Sequence, residues 1–228
     1  MRITHNDGVG GSNPPIATTS LISLPVLQRC YNVLMQTAQQ LKADILACTL
    51  CEDSLPLGPK PVFQFSPDAR ILIAGQAPGR KVHDSGIPFN DASGDRLRQW
   101  LGIDREQFYD ATKVAILPMG FCYPGSGKSG DLPPRPQCAE TWREQLLIHL
   151  NKLELVLVIG QYALKYHLPQ YKGSVTDAVK DWQACWPGVL PMPHPSPRNQ
   201  RWLKQHPWFE QQGLPAPRQR VSFILNHD

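Results

Sequence analysis

The chain has 228 residues, of which 41% are hydrophobic and 18% charged, and its formal net charge is +4. This length is enough for one domain with a full core and too short for two large domains. No segment approaches the roughly 20 apolar residues of a membrane span, and the polar start of the chain lacks the apolar region of a secretory signal, so we expect a cytoplasmic protein that does not bind membranes.

The first residues, 1–20, are rich in Gly, Asn, Pro, Ser and Thr and have no hydrophobic periodicity. This composition is typical of a disordered segment, and we expect it to precede a single domain over residues 21–228. Between Leu24 and Ala47, apolar residues recur at the spacing of a helix. That spacing predicts an N-terminal helical region with one buried stripe.

Short apolar runs further along the chain predict four β-strands, at residues 70–74, 114–117, 155–159 and 189–192. Two helices are predicted between them, from Gly94 to Leu101 with Ser93 as the cap, and from Pro136 to Leu150. Strands that alternate with helices indicate βαβ units. The sequence therefore predicts an α/β fold with a mainly parallel sheet covered on both faces.

The first predicted strand ends in a turn made of Gly75, Gln76, Ala77, Pro78 and Gly79. Turns at the carboxyl ends of parallel strands are where open α/β sheets bind ligands. Glycine lets the backbone approach a ligand closely, and the ring of Phe89, shortly after the turn, offers a flat face for a planar group. We therefore predict that this turn is part of a binding site.

A second turn, residues 193–198, follows the last predicted strand and contains His194, Ser196 and Arg198 among prolines. The prolines restrict the backbone, so His194 is held rigidly at the end of a strand. A histidine there can donate a hydrogen bond to an oxyanion while Ser196 contacts phosphate, although a histidine in a proline-rich turn also fits a structural role. Because both turns end strands of one parallel sheet, we expect this turn and Gly75–Gly79 at the same edge.

Four of the six cysteines form two pairs, with Cys48 and Cys51 in a CxxC motif and Cys122 and Cys138 further along. In a cytoplasmic protein such spacing favours metal binding over disulfide formation. Four thiolates can hold either a 4Fe–4S iron–sulfur cluster or a structural zinc ion. The alternative is that each cysteine is a small buried hydrophobic residue. We expect that role for the two others, Cys30 and Cys185.

The end of the chain carries an excess of basic residues. Between Trp186 and Asp228 there are five Lys or Arg residues and two acidic residues. Such a composition is compatible with binding to a nucleic-acid backbone. A solvated surface helix accounts for the same charges, so charge alone leaves both interpretations open.

Together, these motifs resemble the uracil-DNA glycosylase superfamily, and most closely its iron–sulfur branch, family 4. The GQAPG turn, the GxPF sequence ending at Phe89, the two cysteine pairs and the HPSP turn occur in the order found there, over about residues 45–210. The resemblance implies a three-layer α/β/α sandwich with a central four-stranded, mainly parallel sheet. It also implies a DNA-repair enzyme that hydrolyses the N-glycosidic bond of uracil or another deaminated base flipped out of DNA. We expect a monomer whose partner is DNA.

The resemblance implies a role for each motif residue. Phe89 is expected to stack on the flipped base, with the backbone amides around Gln76 and Ala77 in contact with it. His194 is expected to stabilise the developing uracil anion. Ser196 and Arg198 are expected to hold backbone phosphates of the DNA.

The resemblance also implies a side chain that fills the vacated base stack. Arg198 and Trp202 are the candidates, and both are expected to contact DNA. The four paired cysteines are expected to hold a structural cluster that pins the N-terminal helix to the loop before Cys138. The glycine-rich loop at 125–130 lacks the spacing of a nucleotide-triphosphate loop, and a flexible loop that faces DNA is the better interpretation.

Two positions depart from the family pattern. Gln76 stands where active members usually carry an acid, and Pro118 stands where relatives usually place an asparagine that reads the uracil edge. Asp84 is the nearest substitute for the acid and Asp91 the next, although either can cap a turn. His83 is either a loop residue or a proton carrier. The catalytic candidates are therefore His194, Asp84 and Gln76.

The same departures support an alternative function, a DNA-binding protein of this fold with lost or altered glycosylase activity. A carboxylate can activate water or stabilise a cationic sugar, whereas the neutral amide of Gln76 cannot. A zinc-stabilised protein-interaction domain is a third hypothesis, and it depends on the cysteines alone.

Overall fold

The computed structural model describes residues 37–128 and 130–227. The predicted disordered segment 1–20 and the predicted core residue Cys30 lie outside them. So does the first part of the predicted N-terminal helical region, whose described end is helix α1, Ala38–Leu46.

The described residues contain six β-strands: β1 (Ile71–Ala74), β2 (Val114–Ile116), β3 (Ser126–Gly127), β4 (Gly130–Asp131), β5 (Leu155–Ile159) and β6 (Val189–Met192). Four of them form a parallel sheet in the order β2-β1-β5-β6, and β3 and β4 form a separate antiparallel hairpin. In the sheet, Ile71 lies opposite both Val114 and Leu155. The four predicted strands are confirmed, because continuous apolar runs are typical of parallel strands buried on both faces.

Helices surround the sheet. The α-helices after α1 are α2 (Arg80–Ser85), α3 (Ala92–Leu101), α4 (Arg105–Tyr109), α5 (Pro136–Cys138), α6 (Glu144–Ile148), α7 (Gly160–His167), α8 (Val175–Lys180), α9 (Gln200–Gln205) and α10 (Pro215–Asn226). Shorter turns of 3-10 helix cover Glu52–Ser54, Trp182–Cys185 and Pro197–Asn199, and π-helical turns cover Ala139–Arg143 and Phe209–Gly213. Within the described part of the chain, no helix is both long and apolar enough to cross a bilayer.

Side chains of the central sheet alternate between two buried layers. Ile71 and Ile73 belong to a core that includes Trp100 of α3 and Val221 of α10. Leu72, which lies between them in the strand, belongs to a second core with residues of α1 and α6. The predicted three-layer α/β/α sandwich is therefore confirmed.

Two local predictions need correction. Helix α3 begins at Ala92, and its cap is Asp91 rather than Ser93. The Asp91 carboxylate accepts a hydrogen bond from the Gly94 amide at 3.0 Å, and an anion at this end of a helix also interacts favourably with the helix dipole. The predicted helix from 136 to 150 is divided between α5 and α6 by the π-helical turn.

Candidate functional site

A cavity of about 370 Å³ opens at the carboxyl ends of β1, β2 and β6. The turns that follow β1 and β6 both line it, which confirms that they share one edge of the sheet. The predicted substrate-binding residues all line this cavity: Gly75, Gln76, Ala77, Pro78, Gly79 and Phe89. Its size is that of a small-molecule pocket, large enough for one planar base.

Phe89 forms one wall of the cavity in a left-handed backbone conformation, with φ of 54°. Its ring packs edge-on against Phe108, with the ring centroids 6.2 Å apart. A Cβ on Gly75 would lie 3.7 Å from Cζ of Phe89, so the glycine turn leaves room beside the ring. Left-handed backbone is unfavourable for a bulky residue and persists only where the surroundings hold it. The surroundings therefore hold the backbone of Phe89, and the contact with Phe108 orients its ring at the cavity.

His194 lines the cavity as a neutral ring. The Ser196 amide donates a hydrogen bond to His194 Nδ1 at 3.1 Å, so the ring proton lies on Nε2. Burial lowers the pKa of His194, and the nearby carboxylates of Asp91 and Asp131 oppose that shift. Asn199 Nδ2 donates to the His194 carbonyl at 2.9 Å, which fixes the turn further. His194 thus presents an N–H donor and carries no charge near neutral pH.

Arg96 of α3 joins the histidine turn to the body of the site, and the sequence analysis did not identify it. Its guanidinium donates to the carbonyls of Pro195 at 3.4 Å and Ser196 at 3.2 Å. It also donates to Gln200 Oε1 at 3.0 Å. No short motif connects partners this far apart in the chain, so the sequence held no signal for this contact.

Asp91 and Asp131 are the carboxylates that line the cavity in the described part of the chain, and Asp84 does not line it. Asp84 lies on α2 in an exposed ion pair with Arg80, with an N–O distance of 3.0 Å. The adjacent His83 is buried and also lies outside the cavity lining. The structure therefore does not bring Asp84 to the site.

Gln76 and Pro118, the two departures from the family pattern, both line the cavity. The side-chain Nε2 of Gln76 donates a hydrogen bond to the carbonyl of Leu132 at 3.0 Å. The backbone carbonyl of Gln76 accepts a hydrogen bond from the Gly120 amide at 3.0 Å. Pro118 has no polar side chain and no amide hydrogen. Neither residue brings an ionised group to the cavity.

Ser196 and Arg198 lie at the rim of the cavity, whereas Trp202 does not. The Ser196 hydroxyl accepts a hydrogen bond from the Arg198 amide at 3.2 Å, and the Arg198 side chain is exposed. Trp202 packs against the core, donates from Nε1 to Thr176 Oγ1 at 2.8 Å and stacks on His206 at 4.4 Å. Arg198 is therefore exposed at the cavity, whereas Trp202 is engaged in packing within the fold.

The family model described as the uracil DNA glycosylase superfamily matches residues 62–216. The chain belongs to this superfamily. It is similar to the type-4 uracil-DNA glycosylase of Thermotoga maritima, with 27% identity over 155 residues, 65% of this chain and 76% of that protein. It is also similar to the type-4 uracil-DNA glycosylase of Sulfurisphaera tokodaii, with 23% identity over 145 residues. That match covers 58% of each chain, less than two thirds of the Sulfurisphaera protein.

Arg143 is a second residue of this superfamily member that the sequence analysis did not identify. It is fully buried, and its Nη1 donates to the carbonyls of Leu117 at 2.8 Å and Pro118 at 3.2 Å. Its Nη2 lies 2.7 Å from His167 Nε2, which must accept, because a guanidinium only donates. Burial lowers the pKa of Arg143 to about 10 and that of His167 to about 3. Arg143 therefore holds the carbonyls of the segment that follows β2, in which Pro118 lines the cavity.

The four paired cysteines line a second, small cavity, together with Arg135 and Trp142. Trp142 Nε1 donates to Cys48 Sγ at 3.4 Å, and the amide of Phe121 donates to Cys138 Sγ at 3.3 Å. Burial raises the pKa of the Cys122 thiol to about 11 and that of the Cys138 thiol to about 12. The remaining described cysteine, Cys185, is partly buried and packs against the edge of a core cluster.

This set of four soft sulfur donors around one cavity fits a thiolate-bound group by its chemistry. Over residues 37–128 and 130–227, however, no three or more His, Cys, Asp or Glu side chains are arranged to hold a metal ion. A zinc ion requires four sulfurs at about 2.3 Å from one centre. In a 4Fe–4S cluster the four thiolates bind different irons, which is compatible with a wider arrangement.

Proposed function

We propose that this protein is a DNA-repair glycosylase that hydrolyses the N-glycosidic bond of uracil or another deaminated base flipped out of DNA. The observation that carries the proposal is one cavity that combines the face of Phe89 with a neutral His194 whose proton lies on Nε2. Membership of the superfamily and the names of the two relatives support it.

Base flipping explains the shape of the site. The glycosidic bond is inaccessible within the base stack, and extrusion costs only a few kcal/mol at a mismatched or damaged pair. A flipped base entering the cavity would stack on Phe89, with the Gly75–Gly79 turn along its edge. The missing side chain at Gly75 leaves that approach open.

His194 supplies the electrostatic part of the reaction. As the bond between the base nitrogen and sugar C1′ breaks, its electron pair moves onto the base, and negative charge develops on a base carbonyl oxygen. The Nε2–H of His194 can donate to that oxygen, and a donor already held in place by Ser196 and Asn199 needs little rearrangement. Water then adds to C1′ and releases a proton, so the products are an abasic site and the base, which becomes neutral on taking up a proton.

DNA binding is assigned to the rim of the cavity. Arg198 is exposed there, and the Ser196 hydroxyl lies beside it. A cation at this position can neutralise a phosphate, which is the main sequence-independent source of affinity for DNA. Arg198 is also long enough to enter the gap that the flipped base leaves.

The cysteine cavity is assigned a structural cofactor. Cys48, Cys51, Cys122 and Cys138 would hold a 4Fe–4S cluster, which when bound supplies a cross-link between distant segments of the chain. These cysteines lie after α1, in the loop after β2 and in α5, so they would tie three segments together. Zinc in the same four thiolates is the alternative.

The test is incubation of the purified protein with single- and double-stranded DNA that contains uracil, hypoxanthine or xanthine. Strand cleavage by alkali after incubation reports abasic sites. Product from at least one of these DNAs is expected, and its absence from all of them, with the iron content intact, would overturn the proposal.

Gln76 and Pro118 favour the second candidate, a DNA-binding protein of this fold without glycosylase turnover. Both occupy the cavity without bringing an ionised group to it. Salt-dependent binding to DNA without abasic product would support this candidate, and product formation would exclude it.

A further inference from the structure

We propose that Asp131 is the catalytic carboxylate of the cavity and that Gln76 is a positioning residue that holds it there. This inference rests on the proposed glycosylase function. In the reaction, the oxygen of water forms a bond to sugar C1′, and the C1′–N bond breaks with its electron pair leaving on the base. The proton released by the water passes to the Asp131 carboxylate.

Asp131 reaches the cavity from the β3–β4 hairpin, where it lies opposite Ser126. The Ser126 hydroxyl donates to Asp131 Oδ1 at 2.8 Å, and the hydroxyls of Ser126 and Tyr123 are 2.7 Å apart. Since Ser126 donates to the carboxylate, it accepts from Tyr123, which is buried. One carboxylate oxygen is therefore fixed by a short chain of hydroxyl groups.

The second oxygen of Asp131 lies over the glycine turn. A Cβ on Gly79 would come within 3.3 Å of Asp131 Oδ2, so this oxygen lies beside the space that a side chain at position 79 would enter. His194 lines the same cavity, near enough for the Asp131 charge to act on its ring. A base and sugar bound between the two turns would thus meet a hydrogen-bond donor and a carboxylate.

Gln76 accounts for how the hairpin is held. Its Nε2 donates to the carbonyl of Leu132, the residue after Asp131, at 3.0 Å. A carboxylate at position 76 has no hydrogen to donate and would add a negative charge near Asp131. The amide that replaces the expected acid is therefore suited to positioning an acid supplied by another segment.

Asp91 is the competing carboxylate, and its geometry assigns it a different task. It caps α3 through the Gly94 amide at 3.0 Å, an interaction that an asparagine can preserve. Asp91→Asn therefore removes charge while it keeps the cap. Asp131→Asn likewise keeps an acceptor for Ser126, so the two variants form a matched pair.

The experiment measures single-turnover rates and DNA affinity for the wild type, Asp131→Asn, Asp91→Asn and Asp68→Asn on uracil-containing DNA. Asp68 lies in an exposed ion pair with Lys152 outside the cavity, and its variant serves as the control. We expect Asp131→Asn to lower the rate by about 100-fold or more, the range for loss of a general base, with affinity within about threefold of the wild type. A rate for Asp131→Asn within about threefold of the wild type overturns the assignment. So does a larger loss in Asp91→Asn than in Asp131→Asn.

Gln76 is tested by comparing the effects of its substitution on the single-turnover rate and on DNA affinity. Gln76→Met removes the donor to Leu132 and Gln76→Glu replaces it with a charge, and both are expected to lower the single-turnover rate about tenfold with little change in affinity. A rate increase in Gln76→Glu overturns the positioning role, because it would mean that the site lacks an acid. If the wild type forms no abasic product from any damaged DNA, the proposed function itself fails, a result distinct from an active wild type whose Asp131→Asn variant is also active.

Discussion

A Cβ on Gly94 would lie 1.7 Å from the carbonyl oxygen of Phe89, closer than any real pair of such atoms. The first turn of α3 therefore passes directly beside Phe89, which lines the cavity. The Phe89 carbonyl, in a backbone with φ of 54°, occupies the space that a side chain at position 94 would need. The conformation of the site thus depends on a glycine in the neighbouring helix.

Gly94→Ala is expected to displace Phe89 and to destabilise the fold by about 1–3 kcal/mol, the usual cost of forced overpacking. Thermal unfolding measures the stability, and the rate of abasic-site formation measures the displacement. Gly188→Ala is the control, because nothing lies within 4 Å of a Cβ at Gly188. Equal stability and activity of the two variants would contradict the dependence of Phe89 on Gly94.

The pH dependence of stability is expected to follow His167. Burial lowers its pKa to about 3, whereas an unfolded histidine titrates near 6.5. As pH falls below about 6.5, the unfolded state takes up a proton that the folded state does not, so the unfolding free energy falls by up to about 1.4 kcal/mol per pH unit. His167→Gln keeps an acceptor for Arg143 and does not titrate.

Urea unfolding from about pH 7 down to about pH 5 measures this effect. The stability of His167→Gln is expected to fall less steeply than that of the wild type over this range. Curves that run parallel would show that His167 takes up no proton on unfolding.

Arg143→Met, which leaves the carbonyls of Leu117 and Pro118 unpaired, is expected to lower the free energy of unfolding by about 2–5 kcal/mol.

The elements that the sequence predicted correctly depend on neighbours in the chain. The strand at 71–74 and the turn after it are encoded by an apolar run followed by Gly and Pro, so both could be located. The contact from Arg96 to the carbonyl of Ser196 spans a sequence separation of 100, and no local pattern encodes it. The same limit applies to Asp131, whose hairpin reaches the cavity only through tertiary contacts.

The sequence also could not decide which of several suitable residues takes a given role. Asp91 and Ser93 are both good helix caps, and the backbone at Asp91, extended with φ of −151°, decides between them. Trp202 is an aromatic residue in a basic segment, as expected of a DNA contact. Its indole nevertheless donates a hydrogen bond to Thr176 within the fold. Burial and pairing, rather than residue type, separate these alternatives.

His194→Ala is expected to lower the single-turnover rate by about 100-fold or more, since a single positioned donor to a developing oxyanion has that effect. DNA affinity is expected to change little. Because burial lowers the pKa of His194, the neutral ring persists below the usual histidine pKa, and the wild-type rate should hold as pH falls until that lower value is reached. A rate that rises when the histidine becomes protonated would contradict a neutral donor.

Arg198→Ala is expected to weaken DNA binding and to reduce its salt dependence by about one phosphate contact. Affinity measured across a series of salt concentrations gives the slope. Lys152→Ala removes a positive charge near the start of β5, at the opposite edge of the sheet, and is expected to leave the slope unchanged. Trp202→Phe loses the hydrogen bond to Thr176 and should lower stability rather than affinity. Equal slopes for Arg198→Ala and the wild type would remove Arg198 from the DNA interface.

Cys138→Ser is expected to remove the visible absorption of a bound iron–sulfur cluster and to lower the thermal stability of the purified protein. Cys138 lines the same small cavity as Cys48, Cys51 and Cys122, so the loss of one thiolate leaves the cluster with an incomplete set of ligands. Cys185→Ser is the matched control, because this cysteine lies outside that cavity. Iron and sulfide content, visible absorption and the unfolding temperature are measured on all three proteins. A colourless wild type that contains zinc would assign the four thiolates to a zinc ion. Equal metal content in Cys138→Ser and the wild type would show that this cysteine is not a ligand.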